Sequence, residues 1–536
     1  MCGIIGVTGD RSNEILDGLK RLEYRGYDSA GVVYDSQRFR TTNSISTLPT
    51  KESSSAIAHT RWATNGKPSV SNAHPHTDCD ENIYVVHNGI IENSRVLKEE
   101  LESHDFISET DTEVIPHLIE SHINRGESRE DAIMKTTRKL SGSYAIIVYF
   151  DDSDTLYGVR NSSPLWLALS EKSNYLTSDI KSIVDWTSDI VRIGRDEIVT
   201  VTQKSWSIKT LDGAQVNRCV EQIQLDSEDI RRGSYKHITL KEIHEQPHAI
   251  EQTIAGLSRD DFPDIFDFNR VEFIAAGTSY NAAKYVSNVL RQEGVIAEAF
   301  KPEQYTPIDG DVITIAVSQS GETVDTKQAL RESPNPRMLI TNTVSCSMEK
   351  YADHISYTNA GPEIGVGATK TFTSQLTQLL YLIGVNKTSL KNIPNSIHSV
   401  IESYTNPVVK TKILFVGIDE YKHIAEEASL KFTEWTYMQS TALGAKELKH
   451  GPLALVDEDT TVVMIEHPRK SQHDTIEQIK ARGGSVITFD SDIPPHSNLA
   501  HPILVIVWLQ LFAYWSARNM GRSIDKPRNL AKSVTV

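Results

Sequence analysis

Cysteine is scarce in this chain of 536 residues. The four present, Cys2, Cys79, Cys219 and Cys346, are too few and too scattered for a disulfide framework or a zinc motif. No basic block occurs. Lys plus Arg number 55 against 71 Asp plus Glu, a formal net charge of −16, so the chain repels polyanions overall and no nucleic-acid partner is expected. Any phosphate it binds is small and held in a local pocket. No apolar run is long enough for a membrane helix: the longest, 503–515, is interrupted by Gln510 and falls short of the roughly 20 residues required. No signal peptide is visible, since Met1-Cys2 leads straight into a strand-like Gly3-Ile4-Ile5-Gly6-Val7. The expectation is a multidomain protein of a reducing, cytoplasmic compartment. At 39% hydrophobic and 24% charged residues there is ample material for packed cores, and the length suggests three or four domains.

The first part of the chain, to about residue 225, is rich in β-branched and aromatic runs such as Tyr84–His87 and Tyr144–Phe150. Between them lie helical patterns at Asn13–Leu22 and Asp111–Ile123. Strands outnumber helices, which points to stacked sheets with helices outside. From about residue 250 the pattern becomes strand, Gly/Ser/Thr turn, helix: Val271–Ala276 runs into Gly277-Thr278-Ser279 and a helix from about Asn281, and Val312–Val317 runs into Ser318-Gln319-Ser320-Gly321-Glu322-Thr323. That alternation signals a parallel sheet flanked by helices. A third region repeats it, with strand Lys412–Gly417, a helix through Glu427 and Lys431, and a further strand at Thr461–Ile465. The two copies differ at their strand ends. The first offers hydroxyls, whereas the second offers Asp419, Glu420 and His467-Pro468. Backbone amides with hydroxyls cradle a phosphate and carboxylates repel one, so a single phosphate site is expected, in the first copy.

Cys2 carries the sharpest chemical signal. Removal of Met1 ahead of it is expected, leaving an α-amine that titrates near neutrality and can serve as the base for the adjacent thiol. Taken alone, an early cysteine reads more readily as a small buried apolar residue. An amide-attacking thiolate further needs oxyanion donors and groups that grip the substrate. Asn88 and Gly89, following a strand, suit the oxyanion. Arg61 suits a carboxylate, and the acidic stretch Glu109-Thr110-Asp111-Thr112-Glu113 suits an ammonium. Singly, Asn-Gly reads as a turn, Arg61 as a surface ion pair and Asp111 as a helix N-cap.

The segments Cys2-Gly3-Ile4-Ile5-Gly6, Tyr24-Arg25-Gly26-Tyr27-Asp28-Ser29-Ala30-Gly31, His59-Thr60-Arg61-Trp62-Ala63-Thr64, His74-Pro75-His76, His87-Asn88-Gly89 and Ser108–Glu113 resemble the N-terminal-nucleophile glutaminase domain. Through the remaining regions the chain resembles two sugar isomerase (SIS) domains, so that as a whole it is similar to the glucosamine-6-phosphate synthase family. The resemblance implies an α/β multidomain architecture: an αββα glutaminase sandwich, then two SIS-type α/β/α domains with parallel sheets. It implies that Cys2 forms a γ-glutamyl thioester and releases ammonia, that Asn88 and Gly89 stabilise the oxyanion, and that Arg61 holds the substrate carboxylate. Asp111 would hold the α-ammonium with Thr64 assisting, Trp62 would gate ammonia passage, and Arg25 would order the loop above the cysteine. The family often carries His where this chain has Asn65, and bacterial relatives commonly carry Ser where it has Ala368.

At the sugar end the resemblance agrees with the loop chemistry and implies a fructose 6-phosphate pocket from Thr278, Ser279, Ser318, Gln319, Ser320 and Thr323, with Val366 and Ala531 near the sugar. Glu427, Lys431 and Glu434 stand at i, i+4 and i+7, on one helix face; by spacing alone this is an ordinary solvated Glu–Lys pair. The resemblance implies that Glu434 shuttles a proton between C1 and C2 with Glu427 and Lys431 in support. It further implies that His450 opens the sugar ring from a neighbouring subunit of a homodimer, and that Lys532 forms a Schiff base with the open-chain ketose. No metal and no organic cofactor is implied.

The expected organisation is a glutaminase over 2–225, a linker over 226–250, SIS domains over 251–392 and 393–515, and a catalytic tail over 516–536. The expected activity is glutamine-dependent amination and isomerisation of fructose 6-phosphate, in hexosamine synthesis. Two alternatives stand beside it. One is a glutamine amidotransferase with a different acceptor, which would need a phosphoribosyl-diphosphate loop. The other is a non-enzymatic SIS sugar-phosphate sensor, which would not need Cys2, Asn88, Asp111 and Lys532 together.

Overall fold

The computed structural model describes residues 2–63, 65–101, 103–161, 163–223, 232–258, 261–344, 346–489 and 501–532. The chain divides into two compact units, Met1–Ile230 with Ala531–Val536, and Arg231–Leu530.

The first unit stacks two antiparallel sheets. In the eight-stranded sheet, strand Gly3–Gly9 lies between Ser173–Thr177 and Ser55–Arg61; in the seven-stranded sheet, Ile83–Ile91 lies between His76–Thr77 and Gly142–Phe150. Because side chains alternate along a strand, Ile4 points between the sheets and packs with Ile57, Val86, Ile147, Leu156 and Val199. Its neighbour Ile5 faces outward onto Leu16 and Leu19 of helix Ile15–Arg21. Helices Val114–Ile123 and Arg129–Lys139 cover the other face, on Val85, Ile146 and Val148. The expected αββα layering is therefore present. Helix Val114–Ile123 starts three residues later than the periodicity suggests, and its N-cap position is Glu113.

The second unit contains two parallel sheets. The five-stranded one runs Ile296–Phe300, Arg270–Ala275, Val312–Ser318, Arg337–Thr341, His354–Tyr357; the four-stranded one runs Ser440–Gly444, Lys412–Gly417, Thr460–Ile465, Ser485–Thr488. In each, the first strand in sequence is flanked by the second on one side and the third on the other, so the chain reverses direction across the sheet at equivalent places. That shared topology is the physical content of the suspected repeat. It also puts the ends of Arg270–Ala275 and Val312–Ser318 side by side at a switch point, where open α/β sheets bind ligands. The helix after the first of these strands begins at Gly277, four residues ahead of the sequence expectation; Gly277 has φ +55°, a turn glycine suits.

Two expected boundaries shift. Residues 238–250 are not linker: helices Ile238–His244 and Gln246–Gly256 bury Ile243, Ile250 and Ile254 in the core of the second unit, and Asp525 caps the first of them by accepting from Ile238 N at 3.0 Å and Thr239 N at 2.8 Å. The tail does not start at residue 516, because helix His501–Asn519 continues past it with Ala517 buried. The apolar run 503–515 lies inside this core helix. Among the described residues no helix is long and apolar enough to cross a membrane.

Candidate active sites

In the first unit, pairing of Gly3 with Thr60 brings the start of one strand beside the end of its neighbour. Cys2 therefore meets the Trp62 backbone: Trp62 N lies 3.3 Å from its Sγ, and the thiol lies 3.5 Å from Trp62 O. Burial pushes the Cys2 thiol up, against the downward pull of the chain's amino terminus, the Trp62 peptide and Arg61, while Asp111 raises it. Arg61 and Asp111 are thus electrostatic neighbours of the thiol. Arg61 is buried and donates through Nη2 to Gly66 O at 3.2 Å, while its Nη1 is buried with no partner; an unsatisfied buried guanidinium donor is fit to receive a carboxylate. Asp111 accepts from Ile91 N at 2.7 Å, which ties it to the sheet instead of capping the following helix.

Asn88 and Gly89 lie consecutively in strand Ile83–Ile91, and Asn88 Oδ1 is buried without a partner. Gly89 has φ +134°, and a Cβ there would sit 1.8 Å from Ser143 O, so only glycine fits. Arg25 is pinned to Asp179 at 2.7 Å through Nη2 and 3.2 Å through Nε. The next residue, Gly26, accepts at its carbonyl from Thr60 Oγ1 and packs on the Arg61–Trp62 backbone. The Arg25–Asp179 pair thus adjoins the backbone that packs beside Cys2's partner Trp62. Trp62 is half-buried, with Tyr27 edge-on at 5.8 Å. Thr64 lies outside the described residues. Beneath the site, His59 stacks on His74 at 3.9 Å and burial holds both, with His76, well below the ordinary imidazole value.

In the second unit the helix Tyr421–Thr436 carries a buried charge relay. Glu427 is 0% exposed; it accepts from Thr278 Oγ1 at 3.1 Å and from Asn281 Nδ2 at 2.8 Å. Lys431 Nζ lies 3.7 Å from Glu427 and 2.7 Å from Glu434. Burial pushes the Glu427 carboxyl up to about 7 despite the opposing pull of Lys431. Burial by itself would lower Lys431, but Glu434 and Glu427 outweigh it and raise it. This is no solvated face: Lys431 is 2% exposed, and such a group is kept inside only when paired.

The two hydroxyl-rich loops of the first sheet lead into uncapped helices, as does the equivalent loop before Tyr421. Helices Gly277–Gln292 and Val324–Glu332 have no side-chain cap, leaving their first N–H groups for an anion. Ser318 Oγ accepts from Gly321 N at 3.1 Å and lies 3.2 Å from Thr323 Oγ1; Ser320 Oγ accepts from Glu322 N at 3.2 Å. Gln319 O accepts from Asn342 N at 3.1 Å, and Ser279 Oγ donates to Gln375 Oε1 at 3.0 Å. In the second copy the equivalent position is filled by the chain's own carboxylates: Glu420 accepts from Gln292 at 2.7 Å and pairs with His467 at 3.0 Å, and Asp419 pairs with Lys446 and Lys470. Val366 is buried, with its N–H on Asp525 O at 3.2 Å. His450 is exposed. Ala531 and Lys532 are half-buried and group with the first unit.

Sequence reasoning missed Asn281, Asp28 and Asp525. Asn281 stands one helical turn past the Gly-Thr-Ser turn, a position from which its amide reaches the helix carrying Glu427. Asp28 sits inside the matched Tyr-Arg-Gly-Tyr-Asp segment and accepts from Ala63 N at 2.8 Å.

Comparison with known proteins finds relatives of both units. A glutamine amidotransferase domain model matches residues 59–185, and an SIS domain model matches residues 264–383 and 408–506. The chain is 39% identical over 601 residues to the glutamine–fructose-6-phosphate aminotransferase (isomerizing) of Thermococcus kodakarensis, and 39% over 597 residues to that of Aquifex aeolicus, with 100% of both chains covered in each case. The C-terminal domain of glucosamine-fructose-6-phosphate aminotransferase from Francisella tularensis superposes with a TM-score of 0.50 at 27% identity, covering 55% of this chain and 99% of that one. With one sequence relationship running end to end and a thiol site and a buried carboxylate–lysine relay both in place, the chain belongs to the glutamine–fructose-6-phosphate aminotransferase (isomerizing) family of enzymes.

Proposed function

We propose that the protein releases ammonia from glutamine at Cys2 and uses it to convert fructose 6-phosphate to glucosamine 6-phosphate, in hexosamine synthesis. The observation that carries the reading is the buried Glu427–Lys431–Glu434 relay, held by Thr278 and Asn281 beside an uncapped phosphate loop. A sensor has no use for such a relay, and a different acceptor would need a different phosphate loop.

At the first site the Cys2 sulfur attacks the glutamine carboxamide carbon, with its proton passing to an α-amine exposed by removal of Met1. Asn88 and the Gly89 N–H stabilise the oxyanion, the C–N bond breaks, ammonia leaves, and water then hydrolyses the thioester to glutamate. Arg61 takes the α-carboxylate, and Asp111 with Thr64 takes the α-ammonium. At the second site the Lys532 amine expels water from C2 of the open ketose to form an imine. Ammonia displaces the lysine, and Glu434 moves a proton from C1 to C2 to leave the 2-amino aldose. Lys431 positions Glu434, and Glu427 positions Lys431. Ser318, Gln319, Ser320, Thr323 and Ser279 are the proposed phosphate ligands, with Thr278 and Val366 as the proposed sugar contacts.

We assign the glutaminase to residues 2–225 and the two SIS domains to 251–392 and 393–515, with the first extended backward by the helices from Ile238 and the second forward to the end of helix His501–Asn519. We also read the enzyme as cytoplasmic, in line with its unpaired cysteines, and as a homodimer in which the exposed His450 serves the neighbouring copy's sugar. Glutamate and glucosamine 6-phosphate assayed separately test the reading. Lys532→Arg should keep glutamate release and lose the aminosugar, and Cys2→Ala should lose both with glutamine but make aminosugar from ammonium. Aminosugar formed at the normal rate by Lys532→Arg overturns the reading. Mixing His450→Ala with Glu434→Gln subunits should restore part of the activity if the site is shared.

A further inference from the structure

Four side chains of three types converge on one point in the first unit. Cys79 lies in the turn before strand Ile83–Ile91, His104 follows helix Ser94–Glu100, and His117 and Glu120 stand one turn apart on helix Val114–Ile123. Their donor atoms all lie within 4.8 Å of one another. Cys79 Sγ is 3.6 Å from His104 Nδ1 and 3.5 Å from His117 Nδ1; the two Nδ1 atoms are 3.3 Å apart. Glu120 Oε2 is 2.9 Å from His104 Nδ1 and 3.4 Å from His117 Nδ1.

Hydrogen bonding satisfies only part of this arrangement. With His104 Nδ1–H donated to Glu120 Oε2 and the Cys79 S–H donated to His117 Nδ1, the His117 lone pair still lies 3.4 Å from the Glu120 carboxylate. A cation at the centre satisfies every contact at once. Zinc held tetrahedrally at its usual bond lengths would set nitrogen–nitrogen edges of about 3.3 Å and sulfur–nitrogen edges of about 3.6 Å, the separations seen. One thiolate, one carboxylate and two neutral imidazoles also balance a divalent charge, which a site with His117 and Glu120 buried requires.

We propose that Cys79, His104, His117 and Glu120 form a structural zinc site. With all four positions filled by protein the ion is closed to substrate, so it takes no part in the amide or sugar chemistry. It staples the turn at Cys79 and the loop at His104 to the helix whose approach carries Asp111, and so braces the arm expected to hold the glutamine ammonium. The sequence conceals the site because its ligands come from three separate segments and only one is a cysteine.

Cobalt(II) replacing zinc in the full-length protein tests the proposal. After chelation, one Co²⁺ per chain should bind, with the intense visible bands of a four-coordinate ion and a near-ultraviolet thiolate charge-transfer band. Cys79→Ser should abolish the charge-transfer band, and His104→Ala should weaken binding at least tenfold. Cys2→Ala should leave the spectrum unchanged. No binding at tenfold excess of metal overturns the site, as does a charge-transfer band that survives Cys79→Ser or vanishes in Cys2→Ala. Should either ligand variant fail to fold, alkylation of the unsubstituted protein decides: zinc should slow modification of Cys79 at least tenfold relative to Cys219, and equal rates with and without zinc overturn the proposal.

Discussion

Thr278 Oγ1 donates to Glu427 Oε1 at 3.1 Å, so a hydroxyl that opens the first helix of one parallel sheet holds a carboxylate on the helix belonging to the other. Asn281 completes the grip on the second oxygen. A hydrogen bond to a charged group contributes about 1.5–3 kcal/mol. Asn281→Ala should therefore lower kcat for aminosugar formation roughly 10- to 100-fold while glutamate release is unchanged. Parallel assays of both products check this, and an equal fall in both would contradict it.

Glu427 makes the enzyme's stability depend on pH. Its folded-state value, about 7, lies above the 4.5 of a free side chain, so folding favours the protonated form between them. The contribution is full below about 4.5 and is lost as pH rises through 7, with a slope of at most about 1.4 kcal/mol per pH unit. Urea unfolding from pH 5 to 8 should show the unsubstituted protein losing stability relative to Glu427→Gln. A constant difference across that range counts against the assignment.

Gly89→Ala should cut glutaminase activity by about 10²–10³-fold, the usual consequence of a displaced oxyanion donor. The new methyl has nowhere to go beside Ser143 O. Ammonium-supported aminosugar formation, assayed on the same preparation, should persist.

Arg25 and Asp179 are an ion pair with side chains 11% exposed on both sides. Despite burial, Arg25 and Lys181 hold the Asp179 carboxyl below its ordinary range. Removing one partner of such a pair costs about 3–5 kcal/mol, so Arg25→Ala should lower the unfolding midpoint of the first unit. Asp179 contributes above its unfolded value of 3.8 and less as pH falls, so the deficit should shrink in acid. Adding Asp179→Asn should recover part of it at neutral pH.

Much of this was legible before any coordinates. The strand at Gly3–Val7 is read directly from its β-rich run, and the strand–turn–helix rhythm announces both parallel sheets. The contrast between hydroxyl and acidic loops is present in the fold, with Asp419 and Glu420 engaged by cationic side chains at the second sheet. What was not legible depends on contacts distant in sequence. Asn281 is an unremarkable helical residue until Glu427, 146 positions away, is folded against it. Residues 238–250 follow a polar stretch and so read as linker, yet Ile243 and Ile250 complete a core whose other members lie far along the chain. Asp111 looks like a helix cap because its neighbours are polar, whereas its partner is the Ile91 amide on a strand.

Asp419 and Glu420 give the second sheet a consequence of its own. Lys446, Lys470 and His467 already have tethered counter-ions there, so the duplicated half of the molecule is electrostatically self-sufficient. An anion arriving at that half would compete for these cations with carboxylates tethered to the same chain, which act at a high effective concentration. The two sheets thus share one winding around their first strand but differ in the charges carried at their strand ends.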